Sequence, residues 1–158
     1  MPTGDGGLVT GAAVGHGSAI PSATAVHVPH ERSGVRLARH AFADQLDAVG
    51  VAEEARDDAM LVLSELVSNA VKHAAPLPSG EIVVCWAVRA DVLHIEITDG
   101  GGSTRPQIST AAVSSLGGRG LDIVRTVSSQ WGVTEGAESV TVWAEVPRTP
   151  GRPSAAAH

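Results

Sequence analysis

Cysteine is nearly absent: the chain has only Cys85, set in the apolar run Ile82-Val83-Val84-Cys85-Trp86. With no second cysteine there is neither a disulfide framework nor a zinc cluster, and Cys85 is expected to be a buried, unreactive small residue. Cationic residues are scarce too, 11 Lys and Arg against 17 Asp and Glu, for a formal net charge of −6. No broad basic field exists to neutralise phosphates, so nucleic acid is not expected as a partner. Nor does any stretch approach the roughly 18 apolar residues of a membrane helix, and the N-terminus lacks a basic segment followed by an apolar core. A cytoplasmic protein away from the membrane is expected. His16, His27, His30, His40, His94 and His158 are scattered without the paired spacing of a metal site, so zinc is not expected.

What is present is a chain of 158 residues, 43% hydrophobic and 18% charged. That is enough apolar material for one packed core and too little charge for a disordered chain. Residues 1–22 hold six glycines and no sustained periodicity and read as a flexible arm, as do residues 149–158 at the other end. The domain is expected over residues 23–148.

Within it, Thr24 to Val28 reads as a short edge strand. Glu31 to Val49 carries Val35, Ala38, Ala41, Phe42, Leu46 and Val49 at helical spacing and is closed by Gly50. Glu53 to Ala75 is the most periodic segment, with Ala59, Val62, Leu63, Leu66, Ala70 and Val71 on one stripe and Pro76 and Pro78 as its stop. Glu81 to Arg89 and Val92 to Thr98 read as a hairpin turning at Ala90-Asp91. After the loop from Asp99 to Gly118, a short helix beginning near Gly120 offers Leu121, Ile123, Val124 and Val127 to the core, and two strands follow, around Trp131 to Thr134 and Ser139 to Val146. This order predicts an α+β two-layer sandwich, helices on one face of a mostly antiparallel, mixed sheet.

Three features carry chemistry. On the second helix Glu65, Asn69 and His73 recur every four residues and rise on one polar stripe. Asparagine is a poor helix-interior residue, because its amide competes for backbone hydrogen bonds, so Asn69 needs a reason to be there. The second feature is Asp99-Gly100-Gly101-Gly102 directly after a strand, and the third is Gly117-Gly118-Arg119-Gly120 ahead of a helix, where free N–H groups and the positive helix end face an anion. Each alone is also what an ordinary solvated helix or turn carries. The P-loop pattern is missing, and Gly118-Arg119-Gly120 lacks the third glycine and preceding strand of a dinucleotide fingerprint.

In this order, ELVSNAVKHA, ITDGGG and GGRGLDIV resemble the N, G1 and G2 boxes of the histidine-kinase-like (GHKL) ATPase superfamily, with its Bergerat-type fold. The nearest group is the stand-alone anti-sigma-factor serine/threonine kinases of bacteria, and the likeness runs from about Arg36 to Val146. The resemblance implies ATP and Mg²⁺ as cofactors, Asn69 as the Mg²⁺ ligand beneath the phosphates, and Glu65 as general base. Asp99 would read adenine, with Gly101 allowing close approach of the backbone and Thr141 supporting the contact through its hydroxyl. Lys72 and His73 would lie near the phosphates, although His73 serves equally as a histidine at a helix C-terminus. Residues 103–116 would form the ATP lid, with Gly118, Arg119, Gly120 and Leu121 as its hinge and phosphate-facing end.

Two departures stand out: a G1 box reading Asp-Gly-Gly-Gly, which implies a more flexible adenine loop, and a short lid. By resemblance the protein transfers phosphate to a serine or threonine of an anti-sigma-factor antagonist and sequesters a sigma factor. The alternative is a non-catalytic module in which nucleotide gates partner binding. A homodimer is left open. A sensor kinase is disfavoured, because no membrane segment or phosphoacceptor helix pair precedes residue 23.

Overall fold

The computed structural model describes residues 9–10, 23–102 and 119–149. Its elements are β1 (Val9–Thr10), β2 (Thr24–Pro29), α1 (Arg32–Val49), α2 (Glu53–His73), β3 (Glu81–Val88), β4 (Val92–Asp99), α3 (Arg119–Val127), β5 (Gln130–Glu135) and β6 (Val140–Pro147). The strands form one sheet in the order β1-β2-β3-β4-β6-β5. Every pairing among the described residues is antiparallel. The expected two-layer α+β sandwich is what forms, and its antiparallel character extends to each of these pairs. One expectation changes: Val9 and Thr10, inside the presumed arm, pair with Ala25 and Thr24. The open edge of β2 offers unpaired N–H and C=O groups that another segment can take up.

Side-chain alternation decides what each strand buries. On β4, Leu93, Ile95 and Ile97 face the helices and join Val84 and Trp86 of β3 and Ala144 and Val146 of β6 in the main core. From the helices come Ala38, Phe42 and Leu46 of α1 and the expected stripe of α2, where Val62, Leu63 and Leu66 are buried. Phe42 meets Trp86 edge-on, with ring centroids 5.0 Å apart at 56°. On the other sheet face, Ala25, Val83, Cys85 and Ala87 form a smaller buried cluster. Burial there, helped by the nearby Glu96 charge, pushes the Cys85 thiol up to about 11, in line with an inert side chain.

The ends of α1 follow the sequence. Gly50 adopts φ 75° and its N–H returns to Leu46 and Asp47, a left-handed C-cap that only glycine takes up at no steric cost. Helix α2 ends differently. Its C-cap, Ala74, is extended, and the chain runs on through Ala75 to Pro76. Helix α3 packs against α2, burying Val124. No helix among the described residues is long and apolar enough to cross a membrane.

Candidate nucleotide site

The polar stripe of α2 lies beside its buried face: Glu65 and Asn69 are half-buried one turn apart, while Lys72 and His73 are exposed in the last turn. Asn69 Nδ2 is buried and has no hydrogen-bond partner. A buried, unpaired amide costs about 1–3 kcal/mol, and such a group calls for an explanation. An amide that turns one end to a ligand supplies one, because an amide carries both an acceptor oxygen and two donors.

Asp99 ends β4 and is buried. Its Oδ1 accepts a 2.7 Å hydrogen bond from the Gly101 N–H, and Gly101 sits at φ 82°, where a side chain would be strained. Burial pushes the Asp99 carboxyl up to about 6, while the Gly101 N–H and charge on the nearby His30 work the other way. The folded-state pKa therefore lies above the ordinary value of 3.8, so this group's contribution to stability is complete below pH 3.8 and is lost as pH rises through about 6. Acidification from pH 6 to pH 4 is expected to raise the part of the stability that belongs to Asp99. Urea midpoints across this range should show a component that Asp99→Asn removes, and identical profiles for the two proteins would contradict the assignment.

The glycine turn is tied down rather than loose. Gly100 N–H donates to Ala75 O and Ala75 N–H donates to Gly101 O, both at 2.8 Å. A Cβ at Gly100 would overlap Pro76 O. The flexibility expected of an Asp-Gly-Gly-Gly box is thus absent at its first two glycines, because the segment leaving α2 holds their backbone. Gly100→Ala must separate these strands of chain and is expected to cost about 1–3 kcal/mol, as overpacking typically does. Chemical denaturation reads that loss, and an unchanged midpoint would mean that the two segments part easily.

Other expected residues fall elsewhere. Thr141 pairs with Thr98 in the sheet register, and their hydroxyls hydrogen-bond at 2.8 Å. Thr98 and Asp99 are successive strand residues and point to opposite faces, so Thr141 does not support Asp99. The residue opposite Asp99 is Val140, whose Cγ2 lies close to where a Gly101 Cβ would stand. Residues 103–116 and Gly118 lie outside the described residues. Arg119, Gly120 and Leu121 form the first turn of α3.

One residue at the site escaped the sequence reading. His30, in the link between β2 and α1, places Nε2 3.0 Å from Ala70 O and 2.7 Å from Ala74 O. The available signal was indirect: a helix that ends in Ala-Ala-Pro with no glycine must have its last carbonyls satisfied by some other group.

The chain thus combines a helix-backed antiparallel sheet, an acid and an amide one turn apart on α2, and a glycine turn at the end of β4 that is bonded to the segment leaving α2. Residues 28–145 match the family described as Histidine kinase-like ATPase domain, and the chain belongs to that family. It is 29% identical over 114 residues to the Serine-protein kinase RsbW of Listeria monocytogenes serotype 4a (strain HCC23), covering 65% of this chain and 73% of that protein. The Serine-protein kinase RsbW of Listeria innocua serovar 6a (strain ATCC BAA-680 / CLIP 11262) matches with the same identity and coverage. Among solved structures, the RsbU and RsbW domains of Rv1364c from Mycobacterium tuberculosis superpose with a TM-score of 0.59 at 19% identity, over 84% of this chain and 34% of that one. That likeness is one of fold, and this chain spans about a third of that longer protein.

Proposed function

We propose that the protein is an ATP-dependent serine/threonine kinase that acts as an anti-sigma factor and phosphorylates an anti-sigma-factor antagonist. The observation that carries this reading is the placement on α2 of Glu65 and Asn69, half-buried and one turn apart. A module that only bound nucleotide would need the amide and not the carboxylate.

Bound Mg·ATP supplies the transferable γ-phosphoryl group and the charge that neutralises it. Asn69 would hold the metal through its amide oxygen, the kind of ligand this hard cation takes. With one Asp99 oxygen held by Gly101 N–H, the other would be free to accept the exocyclic amine of adenine. By the resemblance, Lys72 and His73 at the end of α2 and Gly118, Arg119, Gly120 and Leu121 at the start of α3 would be the residues that meet the phosphates. Glu65 would take the proton of the attacking serine or threonine hydroxyl as its oxygen bonds to phosphorus and the bond to the ADP oxygen breaks.

Partner binding has its own support on the outer face of α1 and α2. A cavity of about 510 Å³ there is lined by Arg36, Arg39, His40 and Arg56 together with Asp57, and Arg56 is already paired with Asp47 at 2.8 Å. In a chain of net charge −6, this cationic groove complements an acidic segment of a protein partner.

The test is transfer of labelled γ-phosphate from ATP to purified antagonist proteins. Label on a serine or threonine of one of them is expected. ATP binding without transfer to any of them would favour the nucleotide-gated module instead.

A further inference from the structure

We propose that His30 is a positioning residue for the nucleotide: one imidazole N–H fastens the end of α2 and so fixes the Asn69 turn and the Asp99 turn relative to each other. This rests on the reading of the site as an ATP site.

A helix leaves its last carbonyls without intrahelical partners. Where α1 closes with a left-handed glycine, α2 closes with the extended Ala74, whose N–H still bonds Ala70 O at 3.2 Å; His30, from another element, adds a second donor to Ala70 O and supplies one to Ala74 O. Ala70 O and Ala74 O can only accept, so Nε2 carries the proton and shares it between them, at 3.0 Å and 2.7 Å. Each carbonyl belongs to a residue next to one half of the site. Ala70 is the residue after Asn69. Ala74 precedes Ala75, whose N–H and C=O both bond to the glycine turn that holds Asp99.

The ring therefore stands where the two halves of the site meet. It is also near enough to Asp99 for its charge to act on that carboxyl. His30 is itself held in place. Glu31 N–H donates to Pro29 O at 2.8 Å, and Gly34 is buried against Pro29 so closely that a Cβ would overlap Pro29 O. The histidine is thus anchored to the β2–α1 corner.

A histidine that merely stabilised the helix end would lower the melting temperature on removal and leave nucleotide discrimination alone. A positioning residue changes which base is preferred, because Asp99 must meet the exocyclic amine of adenine while guanine offers a carbonyl there. The experiment uses the full chain with His30→Leu and His30→Ala, which lack the donor, and His30→Gln, whose amide nitrogen reaches about as far as Nε2. Calorimetry with Mg·ATP and Mg·GTP gives the base preference. Hydrogen exchange of the nucleotide-free proteins reports the Ala75 and Gly100 amides.

The donor-less variants are expected to lose about tenfold of the ATP-over-GTP preference, the size of one net hydrogen bond. The Ala75 and Gly100 amides, which bond across the two segments, are expected to exchange about tenfold faster in them, by the same reasoning. His30→Gln is expected to restore both. Unchanged preference and exchange in a folded donor-less variant would overturn the proposal, as would a loss that His30→Gln fails to restore. Should the parent protein bind neither nucleotide, the ATP reading fails on its own, and the exchange rates still decide whether His30 holds the two segments together.

Discussion

Asn69→Ala is expected to abolish Mg·ATP binding while making the nucleotide-free protein more stable. The two effects come from opposite ends of one side chain: the oxygen is assigned to the metal, and the nitrogen is the unpaired donor. In the free protein Asn69 Nδ2 is buried without a partner, which costs about 1–3 kcal/mol, and asparagine is worse than alanine inside a helix by about 0.7 kcal/mol. Removing the amide removes both costs, and the side chain does not belong to the hydrophobic core. Loss of supporting residues around a metal typically lowers its affinity about 10- to 100-fold, and loss of the direct ligand should exceed that. A higher urea midpoint together with no binding heat is the expected pair of results. Unchanged affinity would remove Asn69 from the site, and a lowered midpoint would mean that its amide has a structural partner.

The second large effect concerns Glu65. Glu65→Gln preserves the length, shape and helix propensity of the side chain and removes its capacity to take a proton. Transfer to the antagonist is expected to fall by about 10²- to 10⁴-fold, the usual contribution of general base catalysis. ATP affinity should stay nearly the same, because Glu65 is assigned to the attacking hydroxyl and not to the nucleotide. Transfer at the parent rate would show that positioning and the metal suffice for the chemistry, and Glu65 would then be an ordinary half-buried helix residue.

Much of the fold was legible because its signals are local and repeat. The stripe from Ala59 to Ala70 identifies α2 by period alone, and the structure buries those residues. Gly50 marks the end of α1 because the left-handed cap needs glycine. The turn at Ala90-Asp91 was legible for the same reason: Val88 pairs with Leu93, and Arg89 N–H donates to Val92 O at 2.9 Å. Asn69 stood out because its residue type opposes its helical setting, and it proves to be the unpartnered amide.

The misses depend on pairing between distant segments. Thr141 was expected to support the adenine contact of Asp99 because the resemblance of the last strand to the family implied it. Sheet register turns on a single residue, however, and here it pairs Thr141 with Thr98 and brings Val140 opposite Asp99. The apparent looseness of Asp99-Gly100-Gly101-Gly102 vanished because Ala75, far upstream of Gly100 in the chain, takes up its backbone groups. His30 was counted among scattered histidines, since its partners Ala70 and Ala74 are 40 and 44 residues away. None of these pairings leaves a trace in local composition. The expected lid, residues 103–116, lies outside the described residues.

The central claim, that this domain binds ATP through Asn69 with Mg²⁺ and through Asp99 at the base, is tested most directly by calorimetric titration of the full chain with ATP in the presence and absence of Mg²⁺. Saturable binding that weakens sharply when Mg²⁺ is withdrawn is the expected result. Absence of binding under both conditions would contradict the account at its centre.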